Sequence, residues 1–184
     1  MVPVIDVARQ FVVLARQDDE LMDQKRLEIL SYYAQGWSMA WYLEPLFDDR
    51  IEAWKTGPVP VGLHASLNPD GGESNHEVGA LGEPQMITPR AKEIIESVWR
   101  GYRNHSSIGL SMMSRRERPW REASQTDVGG HCQIITEEAL LAHFGPIFEQ
   151  ESGEKAGSLA ESEKAFNNGE TVDFDDLMVE LHRT

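Results

Sequence analysis

Residues Gln24 to Pro60, reading QKRLEILSYYAQGWSMAWYLEPLFDDRIEAWKTGPVP, constrain the fold more than any other stretch of the chain. Leu27, Leu30, Ala34, Trp37 and Trp41 recur at alternating steps of three and four, which places all five on one helical face. Tyr33 and Ala40 widen that stripe, and the two tryptophans at its end bury a large apolar area. Glu44-Pro45 closes the helix, because the residue before a proline is pushed out of the helical region. Arg50 to Trp54 then alternates polar and apolar residues, the period of a half-buried strand. Gly57-Pro58 breaks the strand and opens a further element, read as helical from Val59 to Leu67. Helix, short strand, sharp turn and helix form the unit against which the rest must pack.

The flanking segments follow the same logic. Val4, Ile5, Ala8, Phe11, Val12 and Ala15 predict a first helix over 4–17. Asn68-Pro69-Asp70-Gly71-Gly72 is turn chemistry, and residues 68–86 read as a long surface loop. Thr88-Pro89 starts a helix with an N-cap and a proline at the first helical position, and Ala91, Ile94, Ile95, Val98, Trp99 and Tyr102 give it a buried face. Ser106 to Met113 predicts a short helix, after which Pro119 forces a break. Thr136 caps a last domain helix carrying Ala139, Leu140, His143, Phe144 and Ile147. The expected fold is mainly α: a compact helical domain with a strand pair at most, followed by a C-terminal helical tail. The domain is expected over 1–149, and QESGEKAG (150–157) reads as the linker that begins the tail segment 150–184.

Composition narrows the function. With 184 residues there is material for one sizeable core, and 40% hydrophobic with 26% charged residues is ordinary for a soluble globular protein. No apolar run approaches the roughly 20 residues of a membrane span, and no secretory signal pattern opens the chain. A single cysteine, Cys132, excludes an internal disulfide framework and fits a reducing cytoplasm. The net charge of −14 argues against nucleic acid as a partner and suits a basic protein partner. The segment from 151 to 184 contributes −6 of that charge, from nine acids and three bases. Its end places Phe174, Leu177, Met178 and Leu181 on one face of an acidic amphipathic helix.

Gln24, Leu27, Tyr32, Tyr33, Ala34 and Gln35, then Leu46, Phe47, Ile51–Trp54 and Gly57–Pro60, fall on the signature of the Panacea domain found in SocA-like antitoxins and phage-associated proteins. Pro119, Trp120 and Ala123 match a second part of the pattern, so the resemblance extends over about residues 4–148. Thr56 stands where an aromatic residue is usual, and Ser114-Arg115 replaces a Thr-His element. SLAESEKAFNNGETVDFDDLMVELH resembles the toxin-wrapping tails of Phd-like and ribbon-helix-helix antitoxins. The resemblance implies a non-enzymatic antitoxin that neutralises a toxin encoded beside it, small alarmone-synthetase toxins being one class met by this scaffold. It implies a basic protein toxin as partner, with a homo-oligomer inside the complex left open. The expected toxin contacts are Phe166, Phe174, Leu177, Met178 and Leu181 together with the 68–86 loop. Tyr33, Gln35, Glu52, Trp54, Gly57, Pro58, Pro119 and Trp120 carry the family motif in a structural capacity. The resemblance to SocA implies the alternative, a proteolytic adaptor that delivers a bound toxin to a protease.

Other chemistries find less in the sequence. The histidines at 64, 76, 105, 131, 143 and 182 show no ligand spacing, so neither metal nor cofactor is expected. No glycine-rich loop follows a strand, which leaves a phosphate cradle without support. Glu52 beside Trp54 reads as a structural carboxylate paired with a backbone or basic group. Arg115, Arg116, Arg118 and Arg121 form one basic cluster around Trp120, diluted by Glu117 and Glu122. An internal ion-pair network or an acidic partner suits that cluster better than nucleic acid.

Overall fold

Asp23 accepts the Arg26 amide hydrogen at 2.9 Å and starts a 19-residue helix, α2 (Gln24–Tyr42), about which the molecule is built. A computed structural model describes residues 1–69, 78, 81–125 and 133–156. Every residue of α2 from Arg26 to Ala40 is buried, so the whole circumference lies inside and not the single expected face. Trp41, placed on that face by its spacing, is only half-buried. The polar residues that hid this burial are bonded inward. Ser31 donates to the Leu27 carbonyl at 2.9 Å, and Ser38 donates to the Glu44 carbonyl at 2.7 Å. Leu43 ends the helix in a left-handed conformation, φ 55°, two residues before Pro45.

The described residues form seven helices: α1 (Val4–Gln17), α2, α3 (Val61–Leu67), α4 (Pro89–Tyr102), α5 (Ser107–Ser114), α6 (Arg118–Gln125) and α7 (Glu137–Ala156). α2 packs against α1, α4, α5 and α7. The expected caps are in place: Thr88 accepts from the Ala91 amide, and Thr136 accepts from the Ala139 amide, both at 3.2 Å. Pro119 falls in the first turn of α6, where its missing N–H costs nothing. α7 runs on through Ala156, so residues 150–156, read as linker, continue the helix.

Three short strands form an antiparallel sheet in the order β2-β1-β3, one strand more than the expected pair. β1 (Ile51–Trp54) and β2 (Gly57–Pro60) make a hairpin in register Ile51 with Pro60 and Trp54 with Gly57. Val59 and Pro60, read as the start of a helix, therefore belong to β2. The helix starts at Val61, with Asp49 accepting from the Gly62 and Leu63 amides at 2.9 and 3.0 Å. β3 (Ile134–Ile135) lies on the other side of β1, pairing Ile51 with Ile135. Of the expected 68–86 loop, residues 70–77, 79 and 80 lie outside the described residues, as do His131, Cys132, His76, His182 and the whole tail from 157. Val78 is buried, and its amide donates to the Met22 carbonyl at 3.2 Å.

Candidate interaction site

Two adjacent tyrosines on α2, Tyr32 and Tyr33, are wholly buried, and each hydroxyl needs an acceptor. Glu117, in the link between α5 and α6, supplies both. Tyr32 donates to its Oε2 at 2.7 Å and Tyr33 to its Oε1 at 2.8 Å. Burial pushes the Glu117 carboxyl above the usual carboxylate range, and the two phenol hydrogen bonds oppose that rise. Burial, with the Glu117 charge added, lifts both phenols well above their ordinary value. His143 Nε2 on α7 stands 3.9 Å from the same carboxylate, and burial followed by the charge of Arg118 pulls this imidazole below its ordinary value. The phenols and carboxylate close on one another, so this group serves as a structural staple joining α2 to the α5–α6 link.

An aromatic cluster backs the staple. The Tyr33 ring stacks on Tyr102 at 4.0 Å between centroids, and Phe144 of α7 meets Tyr32, Tyr33 and Trp37 edge-on. Phe144 reaches so far because residue 36 is glycine: a Cβ there would stand 2.3 Å from the Phe144 ring. Such a contact leaves no room for any side chain. Glycine at this position lets α7 lie against α2.

The other motif residues gather on the hairpin. Trp54 Nε1 donates to Glu52 at 2.8 Å, and Arg50 Nε donates to the other Glu52 oxygen at 3.0 Å. The Trp54 carbonyl accepts from Trp120 Nε1 at 2.9 Å, and the Thr56 carbonyl accepts from Ser111 at 2.6 Å. Position 56 contributes its backbone to this bond, and its side chain is exposed, so a threonine serves in place of the usual aromatic residue. Gly57 holds φ at +133°, a conformation that side-chain-bearing residues rarely adopt. Pro58 of β2 pairs with Ala53 of β1. Gln35 grips the far side of the unit: its Oε1 accepts from the Leu46 and Phe47 amides at 2.9 and 3.1 Å, and its Nε2 donates to the Phe47 carbonyl at 3.2 Å. Below the hairpin the buried carboxylate of Glu28 accepts from Gln24 and lies 2.7 Å from His64 Nδ1, whose ring packs on Trp54.

Between residues 47–51, β3 and the start of α7 lies a half-open groove of about 290 Å³. Phe47, Ile51, Ile135 and Leu140 give it an apolar floor, and Asp48, Asp49 and Glu137 give it an acidic edge. Arg50, also on the rim, is engaged with Glu52. The five expected toxin contacts, Phe166, Phe174, Leu177, Met178 and Leu181, lie outside the described residues. Among the described residues no cluster of three or more histidine, cysteine or acidic side chains could hold a metal ion, and no helix is long and apolar enough to cross a membrane.

Glu117 and Gly36 were missed as key positions by reading the sequence. The local signal at Glu117 is an acid within a run of arginines; the signal for its acceptor role is the pair of tyrosines 84 and 85 residues earlier. The family model of the SocA-like antitoxin Panacea domain matches residues 30–121, half of the chain. That span includes both tyrosines, the hairpin and Glu117. No curated protein and no solved structure matches the chain.

Proposed function

The chain belongs to the SocA-like antitoxin Panacea family, and from that membership we infer that it neutralises a cognate protein toxin by binding it directly. The match over residues 30–121 is the observation that carries this reading. Two features of the chain support the direct mode. The net charge of −14 favours encounter with a basic protein. The groove beside α7 offers an apolar floor under an acidic rim, which suits an aliphatic or aromatic side chain flanked by Lys or Arg. In this reading the scaffold holds the toxin, and Phe166, Phe174, Leu177, Met178 and Leu181 of the tail add the selective contacts, with the 68–86 loop beside them. The toxin is basic, is encoded next to this chain and is met in the cytoplasm. No catalytic step is involved.

Growth supplies the test. The adjacent reading frame, expressed alone, is expected to arrest cells, and co-expression of the full chain to restore growth. A chain ending at Ala156 keeps α7 whole and removes the tail, and is expected to lose the rescue. Full rescue by that shortened chain removes the tail from the interface. No rescue by the full chain overturns the antitoxin reading itself.

A further inference from the structure

α5 turns an uncovered face outward. Ile108 and Met112, one turn apart, are 71% and 51% exposed, while Leu110, Ser111 and Ser114 on the opposite side are buried. The row continues one turn later as Arg115 and Arg116, and α6 adds Arg118 and Arg121, all four exposed. Among the described residues only Arg118 of this group has a carboxylate partner, Glu122 at 2.7 Å. Arg115 lies over the Trp120 ring at 5.1 Å. A surface that is apolar at one end and cationic at the other calls for a partner that is apolar and acidic.

The chain carries such a segment. DFDDLMVEL (173–181) spaces Phe174, Leu177, Met178 and Leu181 along one helical face and places Asp175, Asp176 and Glu180 beside them. Sixteen residues, 157–172, separate it from the end of α7 and can extend over roughly 50 Å. That exceeds the length of α7 itself, about 30 Å for its 20 residues. The segment can therefore run back along α7 to α6, which packs against it, and on to α5. The tether raises the effective concentration into the millimolar range, so a modest interface suffices.

We propose that residues 173–181 dock on the α5–α6 face of their own chain, with their apolar side chains on Ile108 and Met112 and their carboxylates on Arg115, Arg116 and Arg121. This does not rest on the antitoxin reading, because both surfaces belong to the same molecule; a toxin that takes the same side chains would displace the segment from this face. Amide hydrogen exchange of the full chain tests it. Amides of 174–181 and of α5 are expected to exchange at least about tenfold more slowly in the wild type than in the doubly reversed R116E/R121E variant. Adding D175K/D176K to that variant is expected to restore the protection. Tail amides exchanging at open-chain rates in the wild type overturn the proposal, as does protection indifferent to R116E/R121E or unrestored by the reversed pair. Protection that grows with protein concentration assigns the face to a second copy and overturns it as well.

Discussion

Removing the Glu117 carboxylate takes the acceptor from two buried hydroxyls at once. E117A is expected to lose about 2–4 kcal/mol of stability by chemical denaturation. E117Q keeps an acceptor for Tyr32 and a donor toward Tyr33, and should lose far less. The pH dependence separates the charge from the hydrogen bonds. Unfolding returns Glu117 from its raised value to an ordinary 4.5, so the folded chain holds a proton that the unfolded chain releases. Stability carried by that proton is present below 4.5 and is lost as pH rises through the folded value. His143 acts in the opposite sense, weakening the fold as pH falls below its ordinary value of 6.5. The difference between wild type and E117Q, followed from pH 4.5 to 7, isolates the carboxylate: E117Q should gain on the wild type as pH rises. At Gly36, an alanine would drive its Cβ into the Phe144 ring and is expected to cost about 3 kcal/mol or more. The double variant G36A/F144L should recover part of that loss, because the smaller side chain vacates the clash. Neither position declares itself in the sequence. Glu117 reads as an acid diluting a basic run, and what makes it an acceptor is the fold that brings Tyr32 and Tyr33 to it from far along the chain.

Elements whose ends are set by local chemistry were legible. Thr88-Pro89 and Thr136 mark their helices by side-chain caps, and the buried stripe of α4 follows its apolar spacing. Elements set by tertiary contact were not. α2 presents one apolar stripe to the reader, yet its polar residues also face inward because each has a bond to make there. Val59-Pro60 joins β2 because Ile51 and Glu52 pair with it, a constraint from outside the segment. β3 is two residues long and has too little pattern to show a period. Two substitutions test how the elements are held. W120F keeps the ring but leaves the Trp54 carbonyl without its donor, and is expected to cost about 1 kcal/mol at the α6–hairpin joint. Q35L strands two amides and a carbonyl of the 46–47 segment and should cost more, about 2–4 kcal/mol, by the same denaturation assay.

At the scale of the molecule, a helical scaffold stapled at Glu117 carries an acidic groove on one side and a cationic helix face on another. The family motif in the sequence pointed to the scaffold, since most of its residues fall on α2 and the hairpin. It did not point to the groove, which exists only where β3 and α7 meet residues 47–51. If the partner is basic, as proposed, association should depend on salt: raising ionic strength from about 0.05 to 0.5 M is expected to slow toxin binding by an order of magnitude or more, measured by stopped-flow. The measurement closest to the central claim follows the partner itself. The tagged full chain is expressed with the product of the adjacent reading frame, and both the amount of that product in the cell and its recovery with the chain are quantified. Direct neutralisation predicts an undiminished toxin that copurifies as a stable complex. A rescued cell from which the toxin has disappeared, with no complex recovered, contradicts it and makes the chain an adaptor for proteolysis.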